Sequence, residues 1–252
     1  MAGQAHEIKL DTSVPPWPLA FELASTLPKG SWVLVGGLMV HVHALRAGVA
    51  AMRPTSDVDL LLNIATISAG EVGRAITGLG FETVEPSRGN PVHRFTRGED
   101  VVDVMVARNV RMPTRWMQHP ILRSPGAAQA LPRRDRYTLL GDERAVEIDV
   151  PDPLGAIVAK AAAYAVDSRK PLRHLEDLAV LGAATGTPRA LDLDTLTPSD
   201  RRHLNRVLPF LTDSRHSSWA ILDPYERELG QRIWARIAVA VAGSRAVDAE
   251  EP

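Results

Sequence analysis

The chain contains no cysteine. Disulfides and thiolate metal sites are therefore excluded, and the absence fits a cytoplasmic location. No apolar run is long enough to span a bilayer: "LLLNIA" and "AIVAKAAAYAV" are short or interrupted. The opening residues, "MAGQAHEIKL", lack a basic start followed by an apolar stretch, so no secretion signal is expected. Charge of one sign is also lacking. Twenty-nine Lys and Arg face 30 Asp and Glu, a formal net charge of −1. That balance argues against a protein that coats nucleic acid, because non-specific phosphate binding scales with the phosphates neutralised. There is no Gly-x-x-x-x-Gly-Lys-Ser/Thr loop and no internal repeat, which removes the commonest nucleotide site and the solenoid architectures. What is present is an ordinary globular composition, 45% hydrophobic over 252 residues, enough for one large domain or two smaller lobes.

Pattern along the chain favours two lobes. Residues 1–16 are expected to be a frayed lead-in, because "SVPPWP" blocks regular structure. A helix follows from Pro18 to Leu27. "SWVLVGG" reads as a strand ended by a glycine turn, "LMVHVHALRAGVA" as a helix, and "SDVDLLLNI" as the next strand. Residues 69–79 carry Val72, Ile76 and Leu79 at helical spacing, and "FETVE", "VHRFTR" and "VVDVMVA" read as three short strands. From Arg108 the chain turns Pro- and Arg-rich, with "RYTLL" and "AVEIDV" as further strand candidates. Beyond Pro153 it becomes helical in four segments. The second of these is closed by "GAATGTP", the third opens with Ser199 as the expected N-cap, and the last residues, "AVDAEEP", are expected to be disordered. The expected class is α+β: a mixed sheet with flanking helices over residues 1–152, then a helical lobe over 153–252.

Three features carry chemistry. Gly36 and Gly37 end a strand and start a helix, where free N–H groups and a positive helix end can receive an anion. Asp57 and Asp59 follow on the next strand, two apart and so on one face. Asp103 sits among apolar neighbours in "VVDVMV", where a carboxylate is costly without a partner. Mutually repelling acids call for a cation between them. Three acids beside a phosphate-binding turn point to two Mg²⁺ ions holding a triphosphate, while a bare ion pair of Asp103 with Arg94 on the adjacent strand is the plainer alternative. His41 and His43 diverge around a helix and make no joint metal site, and Trp219 and Trp234 read as core.

"VGG", then Arg53, Thr55, Asp57, Asp59 and Leu60 in "R-x-T-x-D-V-D-L", then the acid of "VDV", then "AKAAAYAVDSRKPLRHLEDLAVL" run from Trp32 to about Leu181. In these motifs the chain resembles the nucleotidyltransferase superfamily that includes DNA polymerase beta, and within it the AbiEii-type nucleotidyltransferase toxins. Gly37 stands where the commonest form of the motif has serine. The resemblance implies Mg²⁺-dependent transfer of a nucleoside monophosphate from an NTP to an acceptor hydroxyl, with pyrophosphate leaving. By it Asp57 and Asp59 bridge two metal ions, and Asp103 holds the catalytic one and takes the nucleophile's proton. Gly36, Gly37, Arg53 and Thr55 belong to the nucleotide site, Lys160 contacts phosphate, and Asp177 is the second-motif acid, with Arg169 and Lys170 in the turn between. The implied acceptor is RNA, such as the 3′ end of tRNA, or another macromolecule; a toxin would have a cognate antitoxin protein and act in the cytoplasm.

Other readings stand beside these. A small hydroxylated acceptor such as an aminoglycoside is the alternative within the superfamily, and a catalytically inactive binding or regulatory module is the alternative outside enzymes. The latter gives no reason to keep three repelling carboxylates. Taken alone, Lys160 could lay its stem along an Ala-rich helix with its head in water, and Asp177 could make a surface pair with Arg173. The run of Arg108, Arg111, Arg115, Arg123, Arg133, Arg134 and Arg136 is either a solvated loop face or a patch that steers a polyanion.

Overall fold

The computed structural model describes residues 5–86, 90–108, 115–116 and 119–247. The first elements are β1 (Ala5–Lys9), α1 (Trp17–Thr26), β2 (Trp32–Val35), α2 (Gly36–Ala47), β3 (Asp57–Leu62) and α3 (Ala69–Gly78). Short strands follow: β4 (Glu82–Thr83), β5 (Arg94–Arg97), β6 (Asp100–Ala107), β7 (Arg115–Trp116), β8 (His119–Pro120) and β9 (Leu122–Ser124). Then come α4 (Ala127–Ala130), β10 (Arg134–Leu140), β11 (Ala145–Pro151), α5 (Pro153–Tyr164), α6 (Pro171–Thr185), α7 (Pro198–Leu211) and α8 (Pro224–Val247). The protein is a mixed α/β chain with a helical C-terminal part. No helix among the described residues is long and apolar enough to cross a membrane.

The chain divides into two compact units, one of Met1–Met39 with Pro54–Asp152 and one of Val40–Arg53 with Pro153–Pro252. In the first, β2, β3, β6, β5 and β4 lie side by side in that order, and β9 joins the C-terminal half of β6. β3 and β6 run parallel, while β2 and β5 are antiparallel to their neighbours. The hydrophobic pattern explains the placing. Leu60, Leu61 and Leu62 are all buried, so β3 is covered on both faces at its C-terminal end, and Val102, Val104 and Val106 bury one face of β6. At the other end one face of β3 opens, and there stand Asp57 and Asp59. α3 is fixed by its own Ser68–Glu71 capping box, and the indole of Trp116 lies against Gly73, where a Cβ would come within 2.4 Å of the ring.

Residues 5–9 correct the expected frayed lead-in: they form β1, paired in parallel with β10, which pairs antiparallel with β11. The partner strand lies far along the chain, so no local pattern announces it. Residues 1–4 lie outside the described residues, as do 109–114, with Arg111, and 117–118. The Pro- and Arg-rich stretch also holds β7, β8, β9 and α4. At the C-terminal end α8 continues to Val247, and the rest of the expected disordered tail lies outside the described residues.

In the second unit α5 and α6 are buried over most of their length, and α8 contributes Ile233, Trp234, Ile237 and Val241 to the core. Glycines permit the closest helix contacts. A Cβ on Gly182 would meet Trp234 at 2.9 Å, and one on Gly230 would meet Trp219 at 2.8 Å. Both tryptophans are core, and the Trp234 indole N–H donates to the Leu178 carbonyl at 3.1 Å. The α7 N-cap is Thr197 instead of Ser199: the Thr197 hydroxyl accepts from the Asp200 N–H, and the Asp200 carboxylate accepts from the Thr197 N–H. Pro198 at the first helical position fixes that start, which leaves Ser199 inside the helix.

Candidate metal and phosphate site

Register brings the acids together. Asp59 on β3 is paired with Asp103 on β6, and Asp103 with Arg94 on β5, so the three form one row across three strands. Side chains in such a row share a face, and Asp57, two residues before Asp59, joins them. One carboxylate oxygen from each of Asp57, Asp59 and Asp103 lies within 4.8 Å of the other two. Oxygen ligands of this kind suit a hard divalent cation such as Mg²⁺, so the residues fit the metal that the sequence implies. The cluster already touches a positive group. Arg94 Nε donates to Asp103 Oδ1 at 2.8 Å and Nη2 to Oδ2 at 2.6 Å, with Nη2 also 4.0 Å from Asp57 Oδ2. The hydrogen bonds to Asp103, and then the charges of Asp57 and Asp59, hold the guanidinium above its ordinary pKa despite partial burial.

The glycine pair is set by these neighbours. Gly36 adopts φ +70, and a Cβ there would lie 1.6 Å from Asp59 Oδ2. Asp59 thus sits against the first residue of α2, where the positive helix end favours its charge. A Cβ on Gly37 would meet the Thr55 hydroxyl at 2.5 Å, and that hydroxyl donates to Asp57 Oδ1 at 2.9 Å. Thr55 therefore fills the space beside Gly37 that a side chain there would need.

Lys160 and Asp177 form a second cluster, within the helical unit. Both are buried, and Lys160 Nζ lies 2.6 Å from Asp177 Oδ2. Arg53 Nε is 3.5 Å from Asp177 Oδ1, and the Arg53 carbonyl accepts from His41 Nε2 at 2.8 Å. Burial alone would raise the Asp177 pKa, but the charges of Lys160 and Arg53 outweigh it and keep the carboxyl below its usual range. Burial pushes His41 below its ordinary value. Two plainer alternatives are not what the structure holds. Lys160 does not run its head out to water, and Asp177 makes no surface pair with Arg173, whose Nη2 goes to Asp167 at 2.9 Å.

Asp167 organises the α5–α6 turn: Oδ1 accepts from the N–H groups of Arg169 and Lys170, and Oδ2 lies 3.0 Å from His174 Nε2. These donors overcome the effect of partial burial and bring Asp167 to about 2, while burial first and then Lys160 lower His174 to about 4. Sequence reading missed the roles of Asp167 and His174, whereas the ion pair of Asp103 with Arg94, weighed there as the plainer alternative, is present alongside the converging acids. The Arg94 register was within reach. Counting back from the Gly98–Glu99 turn, where Arg97 faces Asp100, places Arg94 opposite Asp103. Within the arginine-rich stretch, Arg134 and Arg136 pair with Asp149 and so serve the small sheet.

Comparison of the chain with family models, curated proteins and solved structures returns no match.

Proposed function

We propose that the protein is a metal-dependent nucleotidyltransferase that transfers a nucleoside monophosphate from an NTP to an acceptor hydroxyl. The observation that carries this reading is the row of acids whose ligand oxygens converge within 4.8 Å beside the glycine-started end of α2. Three carboxylates gathered this closely repel, and the single charge of Arg94 offsets only part of theirs, which favours a further cation there. When bound, divalent metal supplies the positive charge that polarises the α-phosphate and acidifies the attacking hydroxyl. Asp57, Asp59 and Asp103 would hold it, and Thr55 orients Asp57 through its hydroxyl. The N–H groups at Gly36 and Gly37 offer the phosphates a helix N-terminus. The acceptor oxygen forms a bond to the α-phosphorus as the α–β phosphoanhydride breaks; pyrophosphate leaves, and the hydroxyl proton passes to Asp103.

The acceptor is proposed to be an RNA hydroxyl. Purified protein is incubated with Mg²⁺, each α-labelled NTP in turn and, separately, total RNA or an aminoglycoside. Label in RNA, with pyrophosphate released and the signal lost in Asp59→Ala, is the expected result. Label only in the aminoglycoside moves the proposal to a small-molecule acceptor. Transfer that persists in full in Asp59→Ala overturns the reading of the acid row.

A further inference from the structure

The acid row contains a fourth member that the chemistry above does not use. Arg94 is aligned on Asp103 by strand register and grips both of its oxygens, while Nη2 leans toward Asp57. A ligand set drawn from Asp57, Asp59 and Asp103 must take an oxygen that Arg94 now holds. A dication and a guanidinium on one carboxylate stand about 4 Å apart, where like charges repel by several times the thermal energy even at a protein-surface dielectric. A ligating carboxylate oxygen can still accept a hydrogen bond, but this repulsion favours the arrangement in which one of the two cations withdraws. Asp103 is fixed in the middle of β6 with its side chain 10% exposed, whereas the Arg94 side chain is 43% exposed and has a path into water.

We propose that Arg94 is a built-in competitor for the metal site: its guanidinium neutralises Asp103, and a divalent cation enters by displacing it. The inference rests on the proposed function, since it presumes that the three acids bind metal. Two consequences follow. Arg94 keeps the repelling acids together before metal arrives, and it lowers the metal affinity of the cluster by the work of its own removal. A device of this kind makes loading depend on the free metal concentration instead of being permanent.

The test titrates Mn²⁺ into the full-length chain and follows free Mn²⁺ by electron paramagnetic resonance. Arg94→Ala and Arg94→Gln are expected to bind about tenfold tighter than wild type, because the competing charge is gone. Arg94→Lys, which keeps the charge but loses the fork, falls between them. Asp59→Ala introduced into Arg94→Gln abolishes the gain, which places the ion in this cluster. A second measurement needs no substitution: the Arg94 Nε–H resonance of the wild-type protein shifts and broadens as Mg²⁺ is added. Unchanged or weaker Mn²⁺ binding in Arg94→Gln, or an Nε–H resonance indifferent to Mg²⁺, overturns the proposal. If wild type binds Mn²⁺ through Asp59 and Arg94→Gln binds it equally, this inference alone fails. If neither protein binds Mn²⁺, the metal-dependent reading fails with it.

Discussion

Asp59 and Lys160 show two kinds of charged residue that a sequence cannot separate. Asp59 stands on an open face among other acids, with Gly36 pressed against it. Lys160 is sealed inside the helical unit and paired with Asp177. Their substitutions should diverge. Asp59→Ala removes a like charge and is expected to leave the melting temperature unchanged or raised while transfer is lost. Lys160→Ala strands Asp177 with only the longer Arg53 contact and should cost about 3–5 kcal/mol in urea unfolding. A strongly destabilised Asp59→Ala would mean that the acid row is structural. Gly36→Ala is a sharper probe, because its Cβ has no space 1.6 Å from Asp59 Oδ2 and its φ is +70. Loss of Mn²⁺ binding is expected, and wild-type binding would show that Asp59 can move without consequence.

Elements obey local rules until a distant partner intervenes. The α7 start is local: Thr197 and Asp200 cap it reciprocally. Thr197→Ala should therefore lower stability by about 1 kcal/mol and Ser199→Ala by a few tenths at most; the reverse ranking would restore Ser199 as the cap. The α5–α6 turn is held by Asp167 and His174, whose imidazole is lowered to about 4 from an ordinary 6.5. Between those values the unfolded chain binds a proton that the folded chain refuses, so stability rises with pH across the window and falls on acidification. The loss from pH 6.5 to 4 is on the order of 2–3 kcal/mol. Asp167, lowered to about 2, adds its own loss only below the ordinary carboxylate range. His174→Gln should flatten the stability profile between pH 4 and 6.5, and an unaltered slope would assign it to another group. By contrast β1 was hidden, because "AHEIK" acquires its meaning only beside β10.

At the scale of the molecule, metal should act as a stabilising ligand. Mg²⁺ at a hundred times its dissociation constant is expected to add about 2.7 kcal/mol to unfolding, reversed by EDTA and absent in Asp59→Ala; no shift in the wild type would count against a metal site. Local periodicity by itself determined the strand–glycine–helix start, the 57–59 pair on one face, the helical character after Pro153 and the burial of both tryptophans, since each depends on neighbours a few residues away. Tertiary structure decided the rest. That Val40–Arg53 groups with the helices, that Thr55 fills the space at Gly37 and that Lys160 is buried on Asp177 all depend on residues distant in sequence. The reason is physical: an isolated charge carries no mark of its partner, and only strand register and helix packing bring the two within reach of a hydrogen bond.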